Sequence, residues 1–123
     1  MNAPDPHSFA RPLAVLALLL AILVAPGTAP GAEPRVVEIT AKRFAFSPAE
    51  VVLRKGEPVT LRLRSLDVTH GFFQRALGID LEIEPGKVTD LTITPAQAGR
   101  FLTICDHFCG SGHANMKVVF VVE

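Results

Sequence analysis

The chain has 123 residues, its 12 lysines and arginines balance 12 aspartates and glutamates, and 49% of it is apolar. That length favours one small domain, and the balanced charge excludes a basic nucleic-acid face or an acidic disordered tail as the organising feature. Ten prolines and nine glycines spread along the chain punctuate many short segments, the habit of an all-β domain rather than a helical bundle.

Residues 2–12 are polar with a single positive charge at Arg11, and residues 13–25 (LAVLALLLAILVA) are an unbroken aliphatic run. As a helix that run would be about 20 Å long, short of the roughly 30 Å hydrocarbon core. A secretory signal is therefore expected over residues 1–32, with cleavage near Ala32 after the small-residue stretch PGTAPGA. Left uncleaved, it would tether the following domain, residues 33–123, to the outer face of a membrane. The expected location is periplasmic or otherwise extracytoplasmic.

Val59, Leu61 and Leu63 alternate with Thr60 and Arg62, and Ile79, Leu81 and Ile83 alternate with Asp80 and Glu82, the period of strands with one buried face. Further strands are predicted at 36–41, 51–54, 88–94, 100–104 and 117–122, separated by turn chemistry at Lys55-Gly56-Glu57-Pro58, Glu84-Pro85-Gly86 and Ala98-Gly99. About seven short strands at this length predict a Greek-key β-sandwich or barrel. The last strand is apolar on both faces, which places it centrally in its sheet. Arg62 and Arg64 fall on the opposite parity to the apolar residues and read as a solvated face.

Between the last two strands lies Cys105-Asp-His-Phe-Cys109-Gly-Ser-Gly-His113-Ala-Asn-Met116, which holds two thiols, two imidazoles and a thioether. Soft sulfur with imidazole selects copper or zinc over hard cations, and a thioether beside thiols tilts the choice to copper. Gly110 and Gly112 let the backbone fold tightly enough to turn several side chains onto one centre. Three other uses of these residues stay open on spacing alone. Cys105 and Cys109 could close a small disulfide ring, Cys105, Cys109, His113 and His70 could hold zinc, and His70, Cys109, His113 and Met116 could hold a single blue copper. Asp67 and Asp106 suit turn hydrogen bonds better than metal binding.

The pattern Cys105-x3-Cys109-Gly-x2-His113-x2-Met116 resembles the CuA loop of cytochrome c oxidase subunit II. Upstream, Phe44-Ala-Phe46-Ser-Pro48, Lys55-Gly56-Glu57-Pro58-Val59, Asp67-Val68-Thr69-His70-Gly71-Phe72 and Glu84-Pro85-Gly86 stand in the order of that subunit's soluble domain. The resemblance implies a cupredoxin sandwich and a binuclear copper centre bridged by Cys105 and Cys109. It assigns His70 and Met116 to one ion, and His113 with the backbone carbonyl of His107 to the other. It further implies one-electron transfer by a carrier that is not itself an enzyme, with an apolar shell drawn from Phe72, Phe101 and Phe108. The expected partners are a c-type cytochrome, a terminal oxidase or a copper acceptor. A copper carrier or delivery factor for oxidase assembly is the alternative within the same resemblance. The chain departs from the family where His107 replaces the usual Glu, where the two amino-terminal membrane helices give way to one short leader, and where the usual electron-entry Trp has no counterpart.

Overall fold

A computed structural model describes residues 33–123, so the expected signal segment 1–32 lies outside the described residues. Among the described residues nine strands form in order: β1 (Arg35–Lys42), β2 (Ala45–Ser47), β3 (Glu50–Leu53), β4 (Val59–Ser65), β5 (His70–Gln74), β6 (Ile79–Ile83), β7 (Thr89–Ile93), β8 (Gly99–Ile104) and β9 (Lys117–Val122). Single 3₁₀ turns at Arg75–Leu77 and His113–Asn115 are the helical elements among the described residues, and no helix there is long and apolar enough to cross a membrane.

The strands make two mixed sheets, a four-stranded one in the order β2-β1-β4-β7 and a five-stranded one in the order β3-β9-β8-β5-β6. Two of the pairings are parallel, β1 with β4 and β3 with β9. The sequence alternation decides which face of each strand turns inward. Ile39 and Ala41 on β1 and Val59, Leu61 and Leu63 on β4 are buried from one side, and Val118, Phe120 and Val122 on β9 from the other. Phe46 and Phe72 join the two sheets edge-to-face with ring centroids 5.3 Å apart, and Phe72 meets Phe120 in the same manner at 6.2 Å. The sandwich expected from the strand pattern is the observed architecture, and β9 lies inside its sheet as its two-sided apolar character requires.

Among the described residues the strands number nine where about seven are expected. β2 is three residues long and carries no readable alternation. β5 begins His70-Gly71-Phe72, all buried, so its two-residue period is hidden. Arg62 reaches across to Asp90 on β7 through two hydrogen bonds of 3.0 Å, which confirms the solvated face.

Candidate metal centre

The ladder between β5 and β8 has one paired position, Phe73 with Ile104, whereas β8 and β9 pair along six. Beyond Ile104 the chain leaves the sheet, and the 105–116 loop fills the space this opens beside His70. Its base is closed by the Cys105 N–H donating to the Met116 carbonyl at 3.2 Å. Its far end is curled by turns in which the N–H groups of His113, Asn115 and Met116 donate to the carbonyls of Gly110, Gly112 and His113. Donors four, eight and eleven residues after Cys105 are thus placed within a loop whose base and far end are fixed by backbone hydrogen bonds.

Cys105, Cys109, Met116 and His70 are all essentially buried. The two cysteines are free thiols with Sγ atoms 3.7 Å apart, and Cys109 Sγ lies 3.5 Å from Met116 Sδ. One donor atom from each of His70, Cys105 and Cys109 falls within a 4.8 Å set, so an imidazole from β5 and two thiols from the loop do converge. Cys105 Sγ donates to the His107 carbonyl at 3.1 Å, which puts that backbone oxygen beside the sulfurs. The His107 side chain goes elsewhere, its Nδ1 3.1 Å from Glu82 Oε1 at the surface. His113 stands outside the 4.8 Å set, but its Nδ1 is buried and without a hydrogen-bond partner. Such an orphaned nitrogen is costly unless something binds it.

His70 carries the same signal with more detail. Its Nε2 lies 2.7 Å from Asp67 Oδ1, and its Nδ1 is buried with no partner. The carboxylate accepts the Nε2 proton and so leaves the Nδ1 lone pair free, the usual way an outer carboxylate fixes the tautomer of a metal-binding histidine. A His70 nitrogen beside two thiols and a thioether, with a further unpaired imidazole nitrogen on His113, fits a soft metal ion such as copper. Burial, and after it the hydrogen bond with Cys105, pushes the Cys109 thiol up to about 11. Metal binding as thiolate must therefore release protons and must weaken as the pH falls.

Phe108, expected in the apolar shell, is 72% exposed and meets the His113 ring edge-on at 5.3 Å. Phe72 is fully buried on the same face of β5 as His70, and Phe101 is half-buried against the core. Arg43 has no sequence signal for the site, and Phe44 and Asp67 have roles there that the chain does not announce. The Arg43 N–H donates to Asp67 Oδ2 at 2.8 Å while the Arg43 side chain donates through Nε to the Cys109 carbonyl at 2.7 Å. One residue of the β1–β2 turn thereby ties the His70 side of the site to the loop side. Beside it the Phe44 ring lies against Gly110 and Gly112, where a Cβ would fall 2.8 and 2.6 Å from ring carbons. Gly110 also has φ 140°, a conformation glycine adopts most readily. Asp67 was expected to serve its turn, and it does accept from the Val68 N–H at 2.7 Å, but it also orients the histidine. The Asp-x-x-His spacing was the available signal.

Partial burial works against ionising Asp67, yet the bonds from the Arg43 N–H, His70 and the Val68 N–H outweigh it and hold its carboxyl near 2, against an ordinary 3.8. The unfolded chain binds this proton more readily than the folded one, so the stabilisation is complete above about pH 4 and disappears as the pH falls towards 2. In Asp67→Asn the metal-free protein is expected to lose that pH-dependent increment, and copper affinity should fall by about 10–100-fold. Acid titration followed by circular dichroism and competition with a copper chelator measure the two effects. Equal acid midpoints and equal affinities for both chains would remove Asp67 from this role.

Residues 13–121 match the family described as cupredoxin-like domain. Subunit 2 of cytochrome c oxidase from Thermus thermophilus is 32% identical over 87 residues, covering 71% of this chain and 64% of that protein. The chain spans between half and two thirds of the length of the two Thermus thermophilus subunits it matches. The periplasmic domain of subunit II of cytochrome oxidase from Bradyrhizobium japonicum superposes with a TM-score of 0.66 at 20% identity, over 72% of this chain and 83% of that one. A second structure, a mixed disulfide intermediate between a thioredoxin-like protein and subunit II of cytochrome c oxidase, superposes with a TM-score of 0.63 at 20% identity, over 72% and 81%.

Proposed function

The chain belongs to the cupredoxin-like domain family and is homologous to cytochrome c oxidase subunit II, and from that premise we propose that it is an extracytoplasmic electron carrier holding two copper ions in a CuA-like centre. The observation that carries this is the pair of buried thiols 3.7 Å apart in one pocket with His70 and Met116. A single blue copper needs one thiolate, and the second buried sulfur then has no task.

Cys105 and Cys109 would bridge the ions. His70 and Met116 would complete one, and His113 with the His107 carbonyl the other. Bound copper supplies a one-electron couple. The protein's own part is to keep the donors still: the Cys105–Met116 backbone bond, the Arg43 tie and the Asp67–His70 bond each fix one donor against the core. A site whose donors cannot relax changes little between oxidation states, which suits rapid electron transfer. With every position filled by protein donors no open site remains for a substrate, so the domain acts as a carrier and not as an enzyme on its own.

A c-type cytochrome or a terminal oxidase fits as redox partner. A thioredoxin-like protein, such as the one in the mixed disulfide with subunit II, fits as the reductant that keeps Cys105 and Cys109 as thiols before copper enters. Copper titration of the purified chain, followed by visible and electron paramagnetic resonance spectra, tests the proposal. Two coppers per chain sharing one unpaired electron is the expected result. One copper with an intense blue thiolate band would establish the mononuclear alternative, and rapid transfer of the copper to an acceptor apo-site would favour a delivery role.

A further inference from the structure

The solvent face of the five-stranded sheet carries a group of apolar residues among charged ones. Residues paired across a ladder share a face, and the exposed ones identify the outer side. Val52 pairs with Val121, Val119 with Leu102, and Ile104 with Phe73, on four adjacent strands. Val52, Leu102 and Ile104 are 47, 49 and 39% exposed, and the other three are half-buried. Isolated apolar residues on a surface need no explanation, but these six neighbours, crossed on β9 by the Arg100–Glu50 ion pair at 3.0 Å, make a patch of the kind that docks a partner.

The charges at the margins of this patch name the partner. One register line crosses four strands as Lys117 on β9, Ile104 on β8, Phe73 on β5 and Asp80 on β6. Read outward from its middle, it is apolar on both sides and then ends in a cation on one side and an anion on the other. Both end residues are exposed, and neither makes an ion pair among the described residues. A two-fold axis lying along the strands between β8 and β5 would set this line against itself. Lys117 would then meet Asp80 twice over, and Ile104 would meet Phe73 twice over.

We propose that the outer face of the five-stranded sheet is a two-fold docking surface for a second copy of this chain, with Lys117 paired to Asp80 of the partner subunit and Ile104 packed on the partner's Phe73. The contact is isologous and therefore closes at a dimer. About that axis β9, β8, β5 and β6 overlie one another, and four strands of five or six residues at about 4.8 Å spacing offer a face on the order of 350 Å² in plan. That is small against the roughly 800 Å² per partner of a stable complex, so the dimer is weak and concentration-dependent rather than obligate.

Sedimentation equilibrium of the purified full chain, from micromolar to about millimolar concentration, should show a monomer–dimer equilibrium. Lys117→Asp alone and Asp80→Lys alone each place like charges together at two symmetry-related points and should weaken the dimer by about tenfold or more. The double variant restores opposite charges with their order reversed and should recover the parent dissociation constant within a few-fold. Both positions are exposed, so circular dichroism should report an unchanged fold for all three variants. A chain that stays monomeric throughout, single reversals without effect, or a double variant no tighter than the singles would each overturn the assignment.

Discussion

The Cys105→Ser chain is expected to bind one copper where the parent binds two, and to lose the resonance of a single electron shared between two ions. The reason is chemical before it is structural. A thiolate sulfur is soft, has lone pairs for two ions and is reached by losing one proton, whereas a serine hydroxyl is hard and keeps its proton at neutral pH. The fold should tolerate the change. Serine is close to cysteine in size, and the bond that closes the loop is made by the backbone N–H of residue 105 to the Met116 carbonyl, not by the side chain. The affinity loss at the vacated position should exceed the 10–100-fold that removal of an outer partner costs.

Cys109→Ser is the informative companion. Cys109 is the sulfur in contact with Met116 Sδ, and its loss leaves only Cys105 beside the His107 carbonyl. Cys105→Ser should retain one thiolate–copper absorption band from a site made of His70, Cys109, His113 and Met116, while Cys109→Ser should lack a band of that kind. Two coppers and an unaltered spectrum in Cys105→Ser would refute the bridging role outright.

Gly71→Ala, a change of one methyl group, is expected to lower both stability and copper loading. A Cβ on residue 71 would lie 2.1 Å from Asp106 Oδ1, 2.5 Å from the His107 nitrogen and 2.8 Å from the Asp106 nitrogen. The carboxylate can swing aside. The two backbone nitrogens can move only if the start of the ligand loop moves, and Cys105 is the next residue back along it. Overpacking of this sort costs about 1–3 kcal/mol, which in a domain of this size lowers the melting temperature by roughly 5–15 °C. Gly86→Ala separates this effect from general backbone strain. Gly86 has φ 78°, so alanine there is also unfavourable, but nothing lies within 4 Å of its Cβ. It should lose stability and keep full copper loading. Thermal melts and copper stoichiometry on both variants decide the matter, and a Gly71→Ala chain that melts and loads like its parent would mean the loop does not approach β5 this closely.

The alternation in β4 and β6 was legible because each strand presents one face to the core, and the two-residue period survives in the chain wherever that holds. In β5 it does not hold. His70, Gly71 and Phe72 are all buried, two of them by the core and Gly71 by the loop that folds over it, so the strand carrying a key donor left no periodic trace. β2 was hidden for a simpler reason, since three residues cannot display a period.

At the site the donor types and their spacing are legible in the chain alone, because the 105–116 loop is contiguous and its turns are local. Resemblance to a known motif then supplied His70 from mid-chain. How the centre is held together became visible in the fold. Arg43 bonds Asp67 across 24 residues and the Cys109 carbonyl across 66, and Phe44 lies on glycines far along the chain. Contacts of that range depend on how the two sheets stack and where the β5–β8 ladder stops. Those choices come from packing of the whole core, which no short stretch of sequence encodes.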